Sequence, residues 1–210
     1  WGHIEKQGKS LFLIADATGH GVPAAFLTAT VHSCVKTLDI LTSKTPELLN
    51  SPDQIMEILN RTVLNVGKDI YLTSFIGILD HHTQDFHYTN ASHLEPLILR
   101  TQDKSELSKS DFIPLLEGKG PRLGHKEDAH FESAHCQLAP EDAIIMWTDG
   151  VTECTSPDGK QWGQRKFHKA LLACGKESAQ VMKNNVIEEL EKHRQGHEYE
   201  DDITLVIAKI

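Results

Sequence analysis

Ser10-Leu11-Phe12-Leu13-Ile14-Ala15-Asp16-Ala17-Thr18-Gly19-His20-Gly21-Val22-Pro23-Ala24-Ala25 is the stretch on which the fold turns. Its first six residues are a short apolar run between polar neighbours, the pattern of a buried strand. Asp16 ends the run, and Gly19 and Gly21 mark a tight turn. Pro23 stands where the first turn of a helix tolerates a missing N–H. A helix is therefore predicted from Val22 to about Leu41, with Phe26, Ala29, Val31, Val35 and Leu38 as core positions.

The same two periods recur along the chain. Asn50-Ser51-Pro52 reads as a helix cap with Pro at the first helical position, and Gly67 as the stop. Between them Ile55, Ile58, Leu59, Val63 and Val66 keep helical spacing. Thr73 to Leu79 and Phe86 to Thr89, joined by the polar Asp80-His81-His82-Thr83-Gln84-Asp85, form a predicted hairpin. Pro96 to Leu99 is a further strand, Thr101 to Gly120 an exposed loop with room for one short strand, and Ala129 to Leu138 a weakly alternating strand. Ala143 to Trp147 is a second buried apolar strand, running into Thr148-Asp149-Gly150. Phe167 to Cys174 and Ala179 to His193 read as helices, and Ile203 to Ile210 as the last strand. Strands in the middle and at the ends, with helices in pairs, define an α+β class of antiparallel sheet with helices packed outside.

A length of 210 residues makes one domain the default, with 39% hydrophobic and 24% charged residues as in ordinary soluble globular proteins. No apolar run approaches the ~20 residues of a membrane-spanning helix, so no direct membrane insertion is expected. Twenty-one basic against 30 acidic residues leave a net charge of −9, which disfavours nucleic acid as a partner. Cys34, Cys136, Cys154 and Cys174 form no C-x-x-C pair and are too sparse for a disulfide scaffold, so reduced thiols of a cytoplasmic domain are expected. Trp1-Gly2-His3-Ile4-Glu5-Lys6 has no basic segment followed by an apolar core, so it is no signal peptide. The first residue is not Met, and the chain is expected to be excised from a longer protein.

Three aspartate positions share one context. Asp16 follows the strand 10–15, Asp149 follows the strand 143–147, and Asp201 and Asp202 precede the strand from Ile203. A strand fixes such a carboxylate and the adjoining glycine turn opens space beside it. Carboxylates are hard oxygen donors suited to Mg2+ or Mn2+. Taken singly, each Asp also fits an ordinary turn or cap, the commonest use of the residue. Several carboxylates converging would repel one another unless cations lay between them.

The set resembles a family. Asp16-Ala17-Thr18-Gly19-His20-Gly21-Val22-Pro23-Ala24-Ala25 is similar to the first helix entry of the metal-dependent protein phosphatases (protein phosphatase 2C-like), in their bacterial SpoIIE/RsbU-like branch. Thr148-Asp149-Gly150-Val151-Thr152-Glu153 resembles its second motif, and Asp201-Asp202-Ile203-Thr204-Leu205-Val206 its closing one. Thr73-Ser74-Phe75-Ile76-Gly77 with Asn90-Ala91-Ser92-His93 resembles the central hairpin, and Gly120-Pro121-Arg122-Leu123-Gly124 a later loop. These matches fall in the family's order over nearly the whole chain. Two departures stand out: the Gly-Gly-Asp strand that usually precedes the position of Trp1 is absent, and Ser92 replaces the usual Gly.

The resemblance implies a single domain over 1–210, a C-terminal piece of a longer signalling protein lacking its first strand. The implied fold is a four-layer αββα sandwich: two antiparallel sheets flanked by helix pairs. It also implies two divalent cations, Mn2+ or Mg2+, held by Asp16, the Ala17 carbonyl, Asp149 and Asp201. Asp16, Asp149 and Asp201 would then serve catalysis through metal-bound water, with His20 and Asp202 as further candidates for phosphate contact or ligand support. Asp202 is the less favoured of its pair, because neighbouring strand residues point to opposite faces. The implied activity is hydrolysis of phosphoserine or phosphothreonine on a small regulator such as an anti-sigma-factor antagonist. A homodimer and a sensor-linked, cytoplasmic setting belong to the same expectation. The alternative is a catalytically weak phosphatase fold serving as a binding or scaffold module.

Other chemistries find little support. There is no Gly-x-Ser-x-Gly nucleophile elbow, and Gly8-Lys9-Ser10 lacks the upstream Gly of a phosphate-binding loop. His81-His82 is a poor chelating pair within a loop. His193 and His197 would need a helix continuing through Gly196.

Overall fold

The computed structural model describes residues 1–19, 21–66 and 71–210. Its elements run β1 (Gly2–Lys6), β2 (Lys9–Ala17), α1 (Val22–Lys44), α2 (Pro52–Val66), β3 (Leu72–Asp80), β4 (Asp85–Ala91), β5 (Leu97–Leu99), β6 (Phe112–Pro114), β7 (Lys119–Gly120), β8 (Ala134–Gln137), β9 (Ala143–Trp147), α3 (Asp149–Glu153), α4 (Gly163–Ala173), α5 (Ala179–Arg194) and β10 (Leu205–Lys209). Single-turn 3-10 helices at Pro46–Asn50 and Lys109–Asp111 complete them. Two compact units result, Trp1–His93 with Leu116–Leu138, and Leu94–Leu115 with Ala139–Ile210.

The first unit holds a sheet of order β1-β2-β3-β4-β7, with β8 also paired to β4. Its pairs are antiparallel except the two-residue β4–β7 pair, which is parallel. The predicted hairpin is β3–β4, and β1, which no sequence signal marked, pairs along β2 from Gly2 opposite Leu13 to Lys6 opposite Lys9. Leu11 and Leu13 share a core with Val31, Leu38, Leu59 and Val63 of the two helices. Ile14, on the other face of β2, is also fully buried, which is why the run lacks apolar–polar alternation.

Helix α1 buries Leu27, Val31, Val35, Leu38 and Thr42, a stripe repeating every three to four residues. This corrects two expected core positions: Phe26 is 64% exposed, and Ala29 is also exposed. The stripe passes through Leu27, and one residue is ~100° of helix, so Phe26 falls off it despite its size. The expected stop at Gly67 lies outside the described residues. Buried Asn60 of α2 accepts from Gly124 N at 2.9 Å and donates to Lys126 O at 2.8 Å, which ties down the loop carrying the Gly120–Gly124 motif.

At the β3–β4 turn, Asp80 Oδ1 accepts from the backbone N–H groups of His82 at 2.9 Å and Thr83 at 3.2 Å, and Oδ2 lies 3.1 Å from Lys9 Nζ. The His82 N–H, and after it Lys9, hold the Asp80 carboxyl at about 2, below its ordinary 3.8. The folded state thus binds this proton less readily than the unfolded chain. The resulting stabilisation is complete above 3.8 and is lost as the pH falls towards about 2. Asp80→Ala is expected to melt below the parent at neutral pH, with the gap narrowing across that interval. Melting curves over a pH series check it, and a gap independent of pH would refute the assignment.

The second unit holds a sheet of order β10-β9-β5-β6, antiparallel throughout. Ala143, Ile145 and Trp147 of β9 share a core with Phe167 and Leu171 of α4 and Met182, Val186 and Leu190 of α5. The alternate residues Ile144 and Met146 are buried as well. Helix α5 ends at Arg194, where Gln195 (φ 50°) and Gly196 (φ 83°) are left-handed, so His193 and His197 do not share a helix. Each unit is therefore a sheet with its own helix pair, as the α+β reading expects. Among the described residues no helix is long and apolar enough to cross a membrane.

Candidate active site

Asp16 and Ala17 are the last two residues of β2, paired opposite Thr73 and Leu72. Beyond them Thr18 N donates to Tyr71 O at 2.9 Å, and Tyr71 N donates to Thr18 Oγ1 at 3.1 Å. The ladder thus fixes the backbone of both residues up to the turn. Gly19 and Gly21 then take φ of 91° and 87°. A Cβ on either would meet nothing within 4 Å, so these positions need glycine for backbone conformation and not for space. Helix α1 follows with Pro in its first turn. His20 lies outside the described residues.

In the second unit, buried Thr148 joins two distant segments. Its N–H donates to Thr204 O at 3.0 Å, its Oγ1 accepts from Thr204 N at 2.9 Å, and the hydroxyl donates to Asp202 O at 3.1 Å. The stitch sets Asp149, which opens α3, beside the 201–202 segment. A Cβ on Gly150 would stand 2.5 Å from Asp202 O and 3.5 Å from Asp201 Cβ. Asp149 Oδ1 accepts from Gly150 N at 3.0 Å, and Asp201 Oδ1 from Asp202 N at 2.7 Å. Asp201 and Asp202 precede β10 outside any strand, so strand alternation does not rank them; Asp202 contributes its main-chain oxygen to the Thr148 stitch.

Gly150→Ala is expected to displace the 201–202 segment and to cut cation-dependent turnover ~10–100-fold, the usual cost of disturbing the support of metal ligands. Steady-state assays check it; unchanged turnover would mean that the close approach is not required.

Beside this pair lies a cleft of about 220 Å³ lined by Gly150, Glu153, Cys154, Thr155, Gln161, Tyr199, Glu200 and Asp201. Thr155 Oγ1 donates to Glu200 at 3.2 Å, and the Arg194 guanidinium lies 4.4 Å from the Tyr199 ring centroid. Sequence reading passed over Thr148, Thr155 and Tyr199. Only the Thr148-Asp149-Gly150 motif hinted at the first, and no local signal links 155 with 199–201.

Burial pushes the thiols of Cys34, Cys154 and Cys174 up from the ordinary 9.0, so they stay protonated at neutral pH and are poor nucleophiles. The histidines weighed as metal pairs have other partners: His81 Nε2 lies 2.9 Å from Ser10 Oγ, and His193 Nε2 2.8 Å from Lys160 O.

The structure sets the backbone on either side of Asp149, at Thr148 and Gly150, against the 201–202 segment, and sets Asp16 and Ala17 at the end of a strand of the first unit. Among the described residues no three His, Cys, Asp or Glu are gathered as a metal cluster. The donor chemistry nevertheless fits a hard cation. Carboxylates and a main-chain carbonyl are oxygen ligands, and among the described residues none of Asp149, Asp201 and Asp202 pairs with a Lys, Arg or His.

Fold and site define a class: residues 6–210 match the family model described as Stage II sporulation protein E (SpoIIE), and the chain belongs to that family. Phosphoserine phosphatase RsbU of Bacillus subtilis (strain 168) is 30% identical over 212 residues, covering 99% of this chain and 58% of that protein. The chain thus spans little more than half of that relative. Among solved structures, the SiaA-PP2C domain of Pseudomonas aeruginosa superposes with a TM-score of 0.76 at 18% identity, covering 100% of this chain and 78% of that one. RsbX in complex with magnesium superposes with a TM-score of 0.59 at 14% identity, covering 99% and 84%. These likenesses show a common fold.

Proposed function

We propose that this chain is a metal-dependent protein phosphatase that hydrolyses phosphoserine or phosphothreonine on a small regulatory protein such as an anti-sigma-factor antagonist. The observation that carries the reading is the pair formed by Asp149 and the 201–202 segment, stitched by Thr148 at the end of a buried strand. It sits on two of the motifs that run through the family, and RsbU, the relative at 30% identity, is named a phosphoserine phosphatase. The cation-holding residues in this reading are Asp16, the Ala17 carbonyl, Asp149 and Asp201. Two Mn2+ or Mg2+ ions held there would supply a nucleophile at neutral pH and neutralise charge on the phosphoryl oxygens. The chain's own part is positioning. The β2–β3 ladder fixes the backbone of Asp16 and Ala17, and Thr148, next to Asp149, ties that end of β9 to Asp202 and Thr204. No cysteine is asked to attack, and the thiols of Cys34, Cys154 and Cys174 are raised by burial. In the cell the reading places this chain as a cytoplasmic output portion of a longer signalling protein.

The test is phosphate release from p-nitrophenyl phosphate with Mn2+, with Mg2+ and with a chelator. Release that requires the cation supports the reading. A folded protein that releases nothing under any of these conditions overturns it in favour of a binding module.

A further inference from the structure

The motifs Thr73–Gly77 and Asn90–His93 have so far no chemical task. The register sets Thr73 directly opposite Asp16. Thr73 Oγ1 lies 3.5 Å from the Asp16 main-chain oxygen and 3.0 Å from His93 Nδ1. His93 follows β4 and is only 7% exposed. Its backbone is gripped at both ends by one side chain: His93 N donates to Asn90 Oδ1 at 2.7 Å, and Asn90 Nδ2 donates to His93 O at 3.1 Å. Ser92 makes this turn at φ 58°, and its hydroxyl donates to Gly120 O at 3.0 Å.

We infer that His93 is a positioning residue for Asp16, acting through the Thr73 hydroxyl. The inference rests on Asp16 being a cation ligand, as proposed above. Asp16 sits one residue from the end of its strand, just before a glycine turn, and the Thr73 hydroxyl adds a side-chain bond to the ladder that already holds its backbone. A hydroxyl carries a single hydrogen. If Thr73 gives it to the Asp16 carbonyl, its lone pairs remain for an N–H of the ring, so His93 holds its proton on Nδ1. The run Nδ1–H to Oγ1–H to carbonyl then has one direction and one geometry. Hydrogen-bonded chains of this kind fix a single arrangement when every member is satisfied. Partners behind metal ligands typically change metal affinity 10–100-fold when removed.

The experiment is a Mn2+ titration of the full chain followed by electron paramagnetic resonance, with melting temperatures measured in parallel. His93→Ala and Thr73→Val are each expected to weaken Mn2+ binding ~10-fold, and the double variant no more than either single one. His93→Asn should recover most of the affinity, because its amide nitrogen stands near the place of Nδ1; His93→Gln, which reaches towards Nε2, should not. Wild-type affinity in Thr73→Val, independent effects in the double variant, or equal rescue by Gln and Asn would each overturn the inference. If His93→Ala does not fold, Thr73→Val and the Asn/Gln pair still decide it. A parent chain that binds no Mn2+ would instead bring down the reading of Asp16 as a ligand, and the inference with it.

Discussion

Asp149→Asn is expected to lower cation-dependent phosphate release ~100-fold or more while the protein melts within a few degrees of its parent. Two effects of the substitution separate cleanly. The amide is isosteric with the carboxyl, and its oxygen can keep the bond that Asp149 Oδ1 accepts from Gly150 N at 3.0 Å. The Thr148 stitch runs through Thr148, Asp202 and Thr204 and does not use the Asp149 side chain. The local fold should therefore persist. The negative charge does not, and hard divalent cations depend on anionic oxygen donors. Turnover across a Mn2+ series, beside a melting curve of each protein, gives the answer. Activity within about threefold of the parent would remove Asp149 from the cation site, because losing an anionic ligand ordinarily costs more than that.

Phe167→Ala is expected to cost ~3–5 kcal/mol by leaving a cavity the surroundings can only partly close. Phe167 is fully buried, with ring centroids 5.0 Å from Trp147 and 6.0 Å from Trp162. It therefore touches both the end of β9 and the segment that leads into α4. Such a loss is a large share of the ~5–15 kcal/mol that keeps a typical domain folded. For a chain of this size it corresponds to a fall in melting temperature of roughly 10 °C or more. Calorimetry or urea titration would measure it. A fall of less than about 3 °C would mean that the site collapses around the truncation far better than the two indole rings suggest. Because Trp147 leads directly into Thr148 and Asp149, some loss of activity should accompany the loss of stability.

Much of this was legible along the chain because it depends on near neighbours. Apolar runs marked β2 and β9, polar residues between alternating runs marked the β3–β4 hairpin, and Pro and Gly marked the entry to α1. Carboxylates at strand ends gave Asp16, Asp149 and the Asp201–Asp202 pair as candidates, and the family resemblance added the Ala17 carbonyl. The errors and omissions share a different cause. Phe26 was placed inside because it is large and apolar, but the phase of a helix is set by what its neighbours bury, and the stripe runs through Leu27. Strand β1 carries no apolar run of its own and is held by pairing with β2.

The sequence by itself determined the class of fold, the order of its longer elements and which residue types could hold a cation, since period, turn chemistry and spacing are local properties. Only the tertiary structure decided that Thr148 binds Asp202 and Thr204, that Asn60 holds the loop at Gly124, and that His93 meets Thr73 opposite Asp16. Those contacts join residues 20 to 64 positions apart, and they exist because burial of particular faces fixes strand register. A slip of one residue would turn every side chain of a strand to the other face.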